Sequence, residues 1–175
     1  YHEVLYPELT SKAAKEMKGL LKDARVSYAR DEEDKVRTLE NYIKGHFTLR
    51  PAGAGARDLE QIAKNRTCDK IGMDMLFCTL LTQMGVEHQV VVTWDRTSAQ
   101  LDPDFGNFFY LQDVQLYFPG LKKYLAPTDF DLRLGWIPGV NTDCYGLFIS
   151  NYDLGGAVTG VGKVQFIPAV PDSLN

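Results

Sequence analysis

An α+β fold is predicted for this chain, with N-terminal helices and a buried central helix packed on a mainly antiparallel β-sheet. Three features predict it. Helical periodicities fill the first half and strand-like runs the second, the order that builds α+β rather than alternating α/β architecture. Asn65 to Gly85 is apolar around almost its whole circumference, so as a helix it has no face for water and must lie inside the fold. Past Gly85 the pattern changes to short Val-rich and aromatic runs punctuated by Pro, Gly and Asp.

In chain order, Tyr1 to Leu9 reads as an extended lead-in. Thr10 or Ser11 then caps a peripheral helix through about Lys22, whose narrow apolar face is Ala14, Met17, Leu20 and Leu21. Asp31-Glu32-Glu33-Asp34 places acids at the positive end of a second helix, with Val36, Leu39 and Ile43 at helical spacing and Lys44-Gly45 closing it. The acidic run is a solvated helix start rather than a metal site. Phe47 to Ala56, with Pro51, Gly53 and Gly55, reads as a loop that lacks phosphate-loop spacing. A short helix from Asp58 to about Lys64 leads into the central helix, which carries Cys68 at its first turn and stops at Gly85.

His88 to Trp94 reads as a buried strand around Val90-Val91-Val92, and Asp95 to Asp104 as a loop. Phe108 to Phe118 and Leu121 to Leu125 form a hairpin about Pro119-Gly120. Ala126 to Asn141 runs over the surface with Trp136 and Ile137 tucked beneath it. Gly146 to Ser150 and Lys163 to Ile167 are the last strands, separated by the glycine-rich stretch Asp153 to Gly162.

Composition narrows the function. The chain has 175 residues, the size of one domain, and is read as a single domain, 1–175, cut from a larger protein because Tyr1-His2-Glu3-Val4 offers neither an initiator Met nor a signal pattern. A net charge of -4 gives no general attraction to nucleic acid or anionic membranes. No apolar run approaches the roughly 20 residues needed to span a bilayer. Cys68, Cys78 and Cys144 lack the paired spacing of a zinc site and His2, His46 and His88 are scattered, so neither a metal nor a cofactor is expected.

Cys68 and Cys78 on one helix would lie about 15 Å apart, too far for a disulfide. Either could meet Cys144, and the odd total leaves at least one thiol free. Cys78 is assigned to the core and Cys144, in a turn-rich segment, to an accessible position. A cysteine at a helix N-terminus can be a nucleophile, because the dipole and free N–H groups there favour thiolate.

The run Thr67-Cys68-Asp69-Lys70, followed by Leu80-Leu81-Thr82-Gln83-Met84-Gly85-Val86-Glu87, resembles the transglutaminase-like superfamily with its papain-like fold. Within it, the likeness is to the bacterial branch in which such a domain follows an N-terminal β-rich domain. The resemblance is strongest from Asp34 to Thr93 and thins towards Pro138. It implies a Cys-His-Asp triad in which Cys attacks an amide or ester carbonyl, His carries the proton and Asp orients His.

Only the cysteine matches, at Cys68. The family's "F-N-H" element corresponds to Phe105-Gly106-Asn107-Phe108, which puts Asn107 or Phe108 where the base belongs, and neither takes a proton near neutrality. The "D-P-T" element corresponds to Ala126-Pro127-Thr128, which puts Ala126 at the carboxylate position. The resemblance therefore implies a degenerate triad, a pseudoenzyme with a structural role or a cleft for protein, peptide or carbohydrate, lined by Trp94, Phe105 and Tyr110. By family analogy it implies a periplasmic or extracellular location and other domains in the parent protein.

The alternative is a cysteine-dependent amidase, protease or acyltransferase with Cys68 as nucleophile and a rearranged triad using His46 or His88, although both histidines read as surface or strand-edge residues. A third reading puts partner binding in Asp153 to Gly162 or in the tail Pro168 to Asn175.

Overall fold

The computed structural model describes residues 1–97, 113–153 and 158–169. Chain contacts divide it into two compact units that meet in sequence between Glu87 and His88.

The first unit is helical. It opens with a single turn, α1 (His2–Leu5), where an extended segment is expected; Leu5 N–H closes it on the Tyr1 carbonyl at 2.9 Å and the Leu5 side chain is buried. Helix α2 (Ser11–Asp23) starts as predicted, the Thr10 hydroxyl accepting from Ala13 N–H at 3.1 Å. Its buried residues are Ala13, Met17 and Leu20, a stripe rotated slightly from the predicted one. Helix α3 (Glu32–His46) is capped by Asp31, which accepts from Asp34 N–H at 2.8 Å, and it buries Val36, Leu39 and Ile43. Each such fully buried aliphatic side chain contributes about 1.5–3 kcal/mol. The same face also buries an ion pair, Lys44 Nζ to Glu40 Oε1 at 2.8 Å, with both side chains 1% exposed.

The segment from Phe47 is not all loop, because β1 (Thr48–Leu49) pairs in parallel with β2 (Thr67–Cys68) across helix α4 (Leu59–Asn65). The central helix is correspondingly shorter than predicted: α5 runs from Lys70 to Gln83. It is buried along Gly72–Leu81 and is touched by α1, α2 and α4. It stops at Gly85, whose φ of +67° ends the helical path.

The second unit is a five-stranded antiparallel sheet in the order β5-β4-β3-β6-β7, formed by β3 (Gln89–Thr93), β4 (Asp113–Phe118), β5 (Lys123–Leu125), β6 (Cys144–Asp153) and β7 (Val158–Ile167). The Val90-Val91-Val92 run is fully buried on both faces, as its unbroken apolarity predicts. The β4–β5 hairpin is present as predicted, with Tyr117 opposite Tyr124 and the returning strand starting at Lys123 rather than Leu121. The last two strands are longer than predicted. Cys144 pairs with Ile167, and pairing continues to Asp153 with Val158, so strand structure extends into the glycine-rich stretch.

Three burial expectations are corrected here. Cys144 is only 8% exposed because it opens β6 inside a cluster with Val91, Ile137, Phe148 and Ile167. His88 is buried rather than at a surface or edge, and Trp136 is 36% exposed while Ile137 beside it is buried.

Candidate functional site

The segment around Cys68 is shaped by backbone pairing. Arg66 ends α4 in the left-handed region (φ +57°), and its guanidinium lies over the rings of Phe47 and Tyr42 at 5.0 and 5.7 Å. Thr48 N–H donates to the Arg66 carbonyl at 2.9 Å and Arg50 N–H to the Cys68 carbonyl at 2.8 Å. Cys68 is thereby held in β2, outside the helix whose first turn it is expected to occupy.

The N-cap of α5 is Asp69. One carboxylate oxygen accepts from Gly72 N–H at 2.7 Å and the other from Arg57 Nε at 2.7 Å. A glycine is required at 72 for a steric reason: a Cβ there would sit 2.1 Å from the Ala56 carbonyl oxygen and 3.0 Å from both Cys68 Cβ and Ile62 Cδ1. The loop from Gly53 to Arg57 is thus seated directly on the start of α5.

This arrangement reverses the electrostatics expected of Cys68. The residue is 1% exposed, and burial pushes its thiol up to about 12, with the carboxylates of Asp69 and Asp74 adding to the shift. A helix N-terminus favours an anion, but here that anion is the capping carboxylate of Asp69, which repels a neighbouring thiolate. Cys78 is fully buried, as assigned, and its thiol is raised by burial and by Asp74. All three cysteines are free thiols.

Beside Cys68 lies a cleft of about 230 Å³ whose lining includes Arg50, Gly53, Ala56, Asn65, Thr67 and Cys68. Of these, sequence proposes only Cys68 as a site residue. They come from the two sides of the β1–β2 pair, a contact that no local pattern announces.

The remaining candidate residues belong to the second unit. Ala126 is buried directly after β5 and Trp94 is buried directly after β3. Asn107, Phe108, Phe105 and Tyr110 lie outside the described residues. The described part of β4 opens at Asp113, which belongs to a polar network that sequence does not reveal. Asn141 Nδ2 donates to the Trp94 carbonyl at 3.0 Å and to Asp113 Oδ2 at 3.4 Å, while Gln115 Nε2 donates to Asn141 Oδ1 at 3.4 Å. Tyr117, Tyr124 and Phe148 form an aromatic cluster on the sheet, with Tyr117 and Tyr124 centroids 4.7 Å apart. Burial, aided by Tyr117, raises the Tyr124 hydroxyl to about 12.

Of the two histidines considered as substitute bases, His46 is exposed with Nδ1 2.8 Å from the Tyr42 carbonyl, its ring stacked on Tyr42, and His88 is buried. Among the described residues no group of three or more His, Cys, Asp and Glu could hold a metal ion, and no helix is long and apolar enough to cross a membrane.

No protein-family model matches the chain, and no curated protein matches it. Among solved structures it is similar to one described as the crystal structure of a TGase (transglutaminase), with a TM-score of 0.52 and 14% identity over 72% of this chain. It covers 35% of that chain's length. At this identity the likeness is one of fold, and the chain has a transglutaminase-like α+β fold.

Proposed function

We propose that this transglutaminase-like chain is a non-catalytic module of a larger protein, serving a structural or partner-binding role. The observation that carries the reading is the state of Cys68. Burial, Asp69 and Asp74 all act against the thiolate, and the thiol is pushed up to about 12. A nucleophilic cysteine needs the opposite setting, a cation or imidazole that lowers its pKa.

Two further features support it. Ala126, at the position the resemblance gives to the orienting carboxylate, is a buried methyl. At the position the resemblance gives to the base, Asn107 or Phe108, the sequence offers no group that takes a proton near neutrality. The rearranged triad is not favoured by His46, whose Nδ1 is engaged with the Tyr42 carbonyl. The partner is proposed to be protein, peptide or carbohydrate, and the site periplasmic or extracellular in a bacterial protein.

The test is ammonia release from a glutaminyl peptide in the presence of a primary amine. The purified chain is expected to release no more than its Cys68→Ala variant. Turnover that Cys68→Ala abolishes overturns the proposal.

A further inference from the structure

We propose that the cleft beside Arg50 binds a small carboxylate, presented either by a free organic acid or by a peptide C-terminus. The inference goes beyond the reading of Cys68 and does not depend on whether that thiol reacts.

The first support is charge. In a chain of net charge -4, the stretch from Thr48 to Cys68 carries four cations, Arg50, Arg57, Lys64 and Arg66, against the carboxylates of Asp58 and Glu60. Three of the four have partners: Arg57 with Asp69 at 2.7 Å, Lys64 with Glu60 at 2.6 Å and Arg66 with Asp23 at 3.5 Å. Arg50 lines the cleft and has no carboxylate partner among the described residues.

The second support is the rest of the lining. The N–H groups of Gly53, Ala54 and Gly55 donate to no described residue, and Asn65 and Thr67 also line the cleft, with Asn65 Nδ2 donating to Gln61 Oε1 at 3.5 Å. A guanidinium with several neutral donors around it suits a planar monoanion, which it can engage through paired N–H groups. A phosphate dianion calls for a second uncommitted cation, and the other three are engaged. The volume, about 230 Å³, accommodates a group of amino-acid size.

The third support is rigidity. The Arg50 backbone is tied through its N–H to the Cys68 carbonyl at 2.8 Å, and the Gly53–Arg57 loop is held by Arg57 on Asp69 and by the contact of Ala56 with Gly72. The backbone of such a site needs little ordering when it binds, and the exposed Arg50 side chain is the part that must settle.

The test is titration of the intact chain at low ionic strength, by calorimetry, with acetate, with N-acetyl-Gly-Gly and with the C-terminal amide of that peptide. The carboxylates are expected to bind and the amide to bind at least about 10-fold more weakly, the range for a charge-assisted hydrogen bond. Arg50→Gln is expected to weaken carboxylate binding by about 10-fold or more, while Lys64→Gln changes it by less than about 3-fold. Peptide binding tighter than acetate identifies a C-terminus as the source, and equal binding a small acid. Absence of binding, equal binding of the amide, an unaffected Arg50→Gln variant, or tighter binding of inorganic phosphate each overturns the proposal. Because the readout is binding, its failure is distinct from a failure of the non-catalytic reading, which is read as turnover.

Discussion

Replacing Gly72 with alanine tests how the Gly53–Arg57 loop is joined to α5. The new Cβ would lie 2.1 Å from the Ala56 carbonyl oxygen, whereas real Cβ contacts stop near 3.0 Å. Ala56 must therefore retreat by roughly 1 Å in a close-packed setting, and its neighbour Arg57 with it. Overpacking of this kind costs about 1–3 kcal/mol. Strain on the Arg57–Asp69 pair adds less than about 1 kcal/mol, since Arg57 is 51% exposed. Against this stands a helix-propensity gain of at most about 1 kcal/mol, smaller in a first turn.

The net expectation is a loss of about 1–3 kcal/mol. Gly19 supplies the control: it lies inside α2, exposed, with nothing within 4 Å of an added Cβ, so Gly19→Ala should gain up to about 1 kcal/mol. Urea unfolding monitored by circular dichroism should show the two midpoints moving in opposite directions at unchanged slope. Equal stabilisation by both substitutions would refute the steric argument, because propensity alone would then account for them.

The buried Lys44–Glu40 pair makes a second prediction. Lys44→Met leaves a buried carboxylate without its cation and should cost about 3–5 kcal/mol, whereas Glu40→Leu combined with Lys44→Met should recover most of that loss, since a packed apolar pair replaces a desolvated ionic one. Urea midpoints of the single and double variants check it, and a double variant no better than the single would count against a desolvation origin. A third prediction concerns alkaline pH. The folded Cys68 thiol holds its proton to about 12 against an ordinary 9.0, so its contribution is intact below pH 9.0 and is lost as pH rises towards 12. Stability should therefore fall above pH 9.0 by up to about 1.4 kcal/mol per pH unit from this group. Cys68→Ala should shallow that decline, and an identical pH profile in the variant would contradict the burial of the thiol.

Those parts of the fold that rest on local chemistry were legible in the sequence. Thr10, Asp31 and Asp58 each cap a helix through side-chain oxygens within three residues of the bonded N–H, and the Val90-Val91-Val92 run marks a strand buried on both faces. What was not legible depends on residues far apart in the chain. Local sequence carries no strand signal at Cys68, and the pairing of Thr48–Leu49 with Thr67–Cys68 is what holds that cysteine outside the helix. Asp69 followed at three residues by Gly72 is a capping signal in the sequence, overshadowed there by the cysteine beside it. Cys144 looks accessible among turn residues because its partner, Ile167, comes so much later. The Arg50 cleft had no sequence signature at all, since its walls are remote from each other until β1 meets β2.

The place of β3 in the sheet sets an order on folding. Of the five strands of this sheet it is the first to leave the ribosome, and it ends as the middle one, with β4 on one side and β6 on the other. Its first neighbour arrives through a hairpin-type pairing and in turn takes on β5, whereas its second edge waits for Leu147 to meet Val92. Closing that long-range pair is the slow, entropically demanding event, after which β7 adds to β6 as a neighbour in sequence. Until it closes, a nascent chain carries an open edge of three consecutive valines, the kind of strand that recruits another copy of itself. Chaperone dependence during synthesis should accordingly be concentrated in the interval between β3 and β6.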